Sequence, residues 1–238
     1  MDAKAVANAL ISFIKKYKTE FYQMSSRHSQ ILEMAALMIA AEHYRMQGYN
    51  VTPKNLFETQ FKVKTTARGY PWNFSWFEVS KKGNCFEIHS NLPVTGAYGK
   101  DGGIYVVDVG VTEGGVIPQK KPKSDWESVP NEHLITFIEA KKIVIYPMLL
   151  AQFIGIVHEI KPTFLDASCV KKDFVDAKHF EPTLVSIGYL HGVAYRIRKG
   201  YFERNFKINI LPHFDIEIAN LRSGKLTESP LIIKNSYF

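Results

Sequence analysis

Three residues of this chain are spaced so that they could do chemistry together. The run Gly103-Ile104-Tyr105-Val106-Val107-Asp108-Val109-Gly110-Val111 sets a carboxylate inside an apolar stretch, and Leu134-Ile135-Thr136-Phe137-Ile138-Glu139-Ala140-Lys141 ends another with an acid and an amine two positions apart. An ionised carboxylate on a half-buried sheet is costly unless it meets a cation, so acids on two successive strands require an explanation. Residues two apart on a strand project from the same face, which puts Glu139 beside Lys141. With Asp108 on that face of a neighbouring strand, two hard oxygen ligands and an ammonium converge. That is how a protein holds Mg2+ or Mn2+ against a phosphodiester.

The acid-x-Lys tripeptide alone carries little, because it recurs at Asp2 to Lys4, Glu159 to Lys161 and Asp176 to Lys178. Context separates them. Asp2 is close to the first residue, Glu159 closes a helical pattern before Pro162, and Asp176 lies in a polar connector, whereas Glu139 follows a strand-like run with an acidic strand upstream. The competing reading of Glu139 is a strand-end ion pair with Lys141 or Lys142. Asp101 competes with Asp108 because it opens the same strand, although an Asp before Gly102-Gly103 reads as a turn residue. Glu87, inside Cys85-Phe86-Glu87-Ile88-His89, is either a third metal ligand or a solvent-facing position on an alternating strand. Other chemistries fit less well: the eight His show no HExxH or HxH spacing, and no Gly-rich phosphate loop is present.

The elements that would position these residues follow from periodicity. Up to Asn50, apolar positions recur at three and four (Val6, Leu10, Phe13; Ile31, Ala35, Met38), predicting two helices. The second, Ser29 to Gln47, is apolar nearly all round and should be buried, with Glu33 and Glu42 standing out and Gly48 as its stop. Beyond Asn50, aromatic and β-branched residues predict strands over Asn73 to Val79, Cys85 to Pro93, Gly103 to Val111 and Leu134 to Lys141. The first two are joined by a turn at Ser80-Lys81-Lys82-Gly83-Asn84. Thr112 to His133 reads as an inserted polar loop, long enough to be functional or mobile. A helix over Ile145 to Ile160, a strand over Pro182 to Leu190, a basic segment of undefined type over Gly192 to Asn205 and a strand over Phe206 to Leu211 follow. Pro230-Leu231-Ile232-Ile233 could serve as an edge strand or a homo-oligomer contact.

Composition sets the class. The chain has 238 residues, 46% of them hydrophobic, which suits one domain with a substantial core: helices over 1–49, and a sheet-containing core over 50–238 carrying the loop 112–133. No apolar run reaches the roughly 20 residues of a membrane span. Two cysteines, Cys85 and Cys169, are too few for a disulfide scaffold and read as buried thiols in a reducing cytoplasm. The formal charge of +7 suits an anionic partner without identifying one. Lys120, Lys121 and Lys123, with Arg196, Arg198 and Lys199, could meet backbone phosphates. Tyr70, Trp72 and Trp76 could stack on bases, although core packing accounts for the tryptophans better.

Asp108 followed by Glu139-Ala140-Lys141, framed by apolar strands, resembles the PD-(D/E)xK nuclease superfamily, which includes restriction-type endonucleases and Mrr-like enzymes. Glu33 and Gly48-Tyr49 stand where that superfamily often has a helix Glu followed by Gly and an aromatic residue. No Pro precedes Asp108, and thirty residues separate it from Glu139. The resemblance implies an α/β fold, a restriction endonuclease-like α-β-β-β-α-β core with a mixed central sheet flanked by helices. It implies a nuclease acting on DNA before RNA, with Mg2+ or Mn2+ held by Asp108, Glu139 and the Ala140 carbonyl, and with Lys141 orienting the water. A nucleic-acid-binding or assembly protein with the same fold and no turnover, or a nuclease effector activated by a ligand or by oligomerisation, is the alternative.

Overall fold

The turn at Lys82-Gly83 shows how local sequence builds the sheet. Both residues have positive φ, +48° and +86°, as a two-residue hairpin with the right-handed twist of its strands requires, and they join β2 (Trp76–Lys81) to β3 (Asn84–Thr95) with Lys81 opposite Asn84. The computed structural model describes residues 12, 13, 15, 16, 28–98, 103–123, 125–166 and 179–214. Five further strands complete one mixed sheet: β1 (Asn50–Lys54), β4 (Ile104–Glu113), β5 (Leu134–Lys141), β6 (Thr183–Ser186) and β7 (Asn209–Leu211). Spatial order equals chain order. Strands β1 to β5 are antiparallel neighbours, and β5, β6 and β7 run parallel.

Helix α1 (His28–Met46) lies on one face, where every side chain from Ile31 to Ala41 except Glu33 is buried. Its end is a Schellman motif: Gly48, at φ +77°, donates to the Arg45 carbonyl and Tyr49 to that of Tyr44. Helices α2 (Pro147–Ile160) and α3 (Gly192–Glu203) cover the other face. Pro147 starts α2, where its missing N–H costs nothing, and Leu149, Leu150, Phe153, Val157 and Ile160 form its buried stripe. The alternation of β5 and β6 divides the core accordingly, with Ile138 and Val185 under α1 and Phe137 and Leu184 under α2.

Several expectations change. Strand β1 is an added element, at the sheet edge where Pro53 costs no ladder bond. The basic segment of undefined type is the amphipathic helix α3, burying Ala194 and Tyr201. The inserted loop is packed down: Ile117 and Val129 are buried, and Val129 exchanges backbone bonds with Pro93 and Thr95 at 2.9 Å. The exposed Lys120, Lys121 and Lys123 therefore ride on an anchored segment. Cys85 is exposed, not buried, because it sits at the turn end of the β2–β3 hairpin, opposite Ser80. Trp76 is buried and stacks on His89. Asp101, Cys169, most of the first helix and the 230–233 stretch lie outside the described residues. Among the described residues, no helix is long and apolar enough to cross a membrane.

Candidate active site

The site forms where β4 and β5 part. Their ladder pairs Gly110 with Phe137 and Val109 with Ile138 and stops there, while β5 runs on to Lys141 against β6. On its other side β4 also loses a pair: Ser90 opposes Val109 and Leu92 opposes Val107, but Asn91 and Asp108 between them are not partners. Asn91 has a left-handed backbone, φ +47°, which Asn tolerates better than most residues. At this break the two strands change the face they present. Ile88 and Val109 belong to the layer under α1, and Leu92 and Val107 to the layer under α2.

The Asp108 side chain fills the gap. Its Oδ2 accepts the Ala140 backbone N–H at 2.7 Å and the Lys141 ammonium at 3.1 Å. A carboxylate thus replaces a ladder carbonyl and ties the two diverging strands together. Lys141 Nζ also lies 2.8 Å from Glu139 Oε2, so one ammonium touches both acids. Glu139 is the deepest of the three at 3% exposure, and its Oε1 is buried without a hydrogen-bond partner. Lys141 reaches solvent, so the cluster opens outward at its cation.

These contacts set the protonation. Burial, and then the charge of Asp108, push the Glu139 carboxyl up to about 7. Burial works against the Lys141 ammonium, but Glu139 and Asp108 together outweigh it and raise its pKa. Because the folded pKa of Glu139 exceeds the ordinary carboxyl value, the folded chain holds a proton that the unfolded chain releases. The Glu139 contribution to metal-free stability should therefore be fully present below the ordinary carboxyl range and be lost as pH rises to about 7. Urea midpoints on either side of that window test this, and the Glu139→Gln protein should lose the slope.

Two residues that carry no motif extend the cluster toward α1. Asn91 Nδ2 donates to Glu33 Oε2 at 3.0 Å and to the Lys64 carbonyl at 2.9 Å. Glu33 is raised by burial, opposed by the Asn91 bond, and its carboxyl senses the charges of Asp108 and Lys141. Lys64 is 1% exposed. Its ammonium donates to the carbonyls of Thr66, Ala67 and Asn91, at 2.9, 3.2 and 2.5 Å. The only sequence signal for Asn91 is an Asn inside a strand, and Lys64 has none.

Asp108, Glu139, Ala140 and Lys141 are thus brought together. Glu87 is not with them: Oε1 accepts the Gly115 N–H at 2.9 Å and Oε2 pairs with His89 at 3.1 Å, so both oxygens serve the β3–β4 end of the sheet. That occupation withdraws it as a third ligand. A cleft of about 320 Å3 lies over Glu139 and Lys141, walled by Tyr105, Leu149, Phe153 and Ile156. The partnerless Glu139 Oε1 is the kind of atom a cation satisfies, and the donors are hard oxygens. Among the described residues no three His, Cys, Asp or Glu side chains form a metal-sized group. Two carboxylates with backbone and water oxygens suit Mg2+, which keeps much of its hydration shell. No family model, no curated protein and no solved structure matches this chain.

Proposed function

We propose that the protein is a metal-dependent nuclease that hydrolyses phosphodiester bonds, in DNA before RNA. The observation that carries this reading is the convergence of Asp108, Glu139 and Lys141 at the point where β4 and β5 separate. Asp108, Glu139 and the Ala140 carbonyl would hold Mg2+ or Mn2+, which when bound supplies Lewis-acid polarisation of a phosphoryl oxygen.

The remaining work falls to this chain's own side chains. Lys141, kept protonated by its two carboxylates, presents the group nearest solvent to an entering phosphate. From there it donates a hydrogen bond to the attacking water or to charge developing on the phosphoryl oxygens, a contribution that grows toward the transition state. Asp108 is locked by the Ala140 N–H, so its orientation needs no adjustment when substrate arrives. Asn91 holds Glu33 at the border of the cluster. The apolar wall of α2 limits water to the open side.

Purified protein incubated with plasmid and with oligonucleotides should give cut products in Mg2+ or Mn2+ and none in excess EDTA. Cleavage undiminished by EDTA, or no cleavage in either metal, would overturn the proposal.

A further inference from the structure

The segments that follow β5 and β6, each a loop and the first turn of the helix after it, carry exposed apolar side chains beside the candidate site. Ile143, Tyr146 and Met148 come from the first, and Tyr189, Val193 and Tyr195 from the second. Met148 is 60% and Tyr189 53% exposed. The two loops are joined: Ile145 donates to the Tyr189 carbonyl at 2.9 Å and His191 to the Ile145 carbonyl at 3.0 Å. Gly188 lets them close, since a Cβ there would come within 2.5 Å of Val144 Cα. The first loop starts at Lys141, whose carbonyl accepts the Ile187 N–H. These are the C-terminal ends of parallel strands, the end at which open α/β sheets bind ligands.

Charge distinguishes the occupant. From Ala140 through Val157, and again from Ile187 through Phe202, the chain has no Asp or Glu, while Lys141, Lys142, Arg196, Arg198 and Lys199 lie within those stretches. Lys142, Arg196 and Lys199 are exposed. A second copy of the same face would oppose like charge to like. A polyanion gains from Lys142 and Arg196, and from Lys199 in competition with Glu203 3.9 Å away, whereas Lys141 is already held by Asp108 and Glu139. The exposed tyrosines add stacking surface, which only bases outside a duplex stack can use from their faces.

We propose that this rim binds unpaired nucleotides next to the cleavage site, so that the preferred substrate is single-stranded nucleic acid or a single-stranded stretch within a duplex. The inference rests on the nuclease reading for the chemistry next to it, but not for the binding itself. Tyr146 and Tyr189 stack on bases while Lys142, Arg196 and Lys199 meet the phosphates.

The test is fluorescence anisotropy in EDTA with a labelled single strand and the matching blunt duplex, using the intact chain and its Tyr146→Ala, Tyr189→Ala and Tyr195→Ala variants. The parent should bind the single strand more tightly, and the tyrosine variants should weaken that affinity about tenfold each with the duplex little changed. Arg196→Ala with Lys199→Ala should weaken both and flatten the salt dependence. Should a tyrosine variant fail to fold, the Tyr→Leu replacement, which keeps bulk without the ring, serves instead. Equal affinity for both nucleic acids, or single-strand binding indifferent to the tyrosines, overturns the proposal. So does a parent dimer that the tyrosine variants dissociate, because the rim is then an interface between copies. Cleavage assays run separately in Mg2+ distinguish the two readings. Tyrosine-dependent binding without cutting refutes the nuclease and keeps the rim, whereas a triple variant cutting single strands at the parent rate refutes the rim alone.

Discussion

The Glu139→Ala protein is expected to lose cleavage by about 10²–10³-fold or more while unfolding at the same or a higher urea concentration. The two effects have opposite signs for one reason. Glu139 is buried, one of its oxygens has no partner, and burial pushes its carboxyl up to about 7. An under-satisfied buried acid costs the fold free energy that it returns only when a cation arrives. Removing it relieves the fold and leaves Lys141 paired with Asp108. Lys141→Ala should cost as much activity with the reverse effect on the metal-free fold, because two carboxylates then share a site with no ammonium between them. For the same reason that variant should bind Mn2+ more tightly than the parent. Cleavage rates, urea midpoints and Mn2+ titration of both variants check the set, and full activity in Glu139→Ala would refute the assignment of the site.

Lys64→Met should destabilise the fold by about 2–3 kcal/mol. Methionine is close to lysine in length and can fill the space, so the loss isolates the ammonium. Three carbonyls lose their donor, but they do not count equally. Those of Thr66 and Ala67 lie in part-buried contacts that water can replace, whereas that of Asn91 is in a buried one. Setting the ammonium in the interior has its own cost, which shows as a pKa pulled down to about 8 by burial, and this offset keeps the expected loss below the sum of three bonds. Parent stability should rise as pH increases from about 8 toward the ordinary lysine range, because the unfolded chain then binds the extra proton. The variant should lack that rise. Activity should fall with it, since Lys64 grips Asn91 through both the carbonyl and the side-chain amide, and Asn91 holds Glu33. Unfolding curves below and above pH about 8, with cleavage measured beside them, test both parts.

These two residues also mark the limit of what the sequence makes legible. Glu139 and Lys141 are readable because a strand has period two, and their shared face needs nothing beyond the bounds of β5. Helix α1, its Gly48 stop and the Lys82-Gly83 turn are readable for the same local reasons, and so is the mixed α/β character of the chain. Asp108 is readable as an acid in an apolar strand, but its bond to the Ala140 N–H depends on where β4 and β5 separate. That is a property of two strands and the packing on each. Lys64 and Asn91 escape entirely: a lysine in a loop and an Asn in a strand take their meaning from a left-handed kink and a missing ladder pair that only the assembled sheet contains. Helix α3 is obscured by its exposed aromatic and basic side chains, which blur the apolar stripe. Glu87 has the right residue type in the right kind of element, and its oxygens answer to Gly115 and His89 instead.

The agreement between spatial order and chain order in the sheet bears on how the chain folds. Each strand from β2 to β7 docks against the one made just before it, so no strand has to be inserted between two that are already paired. Local hairpins close first and cheaply, because loop-closure entropy grows with the length of the intervening chain. The longest wait comes after β5, across residues 142–182 to β6, whereas β4 and β5 are joined across residues 114–133, where the cluster around Asp108 is completed. Asp108 should gain its partners as the antiparallel half of the sheet closes, before β6 and β7 seat, so the acidic pair acquires its lysine before the β6–α3 loop exists to crowd it.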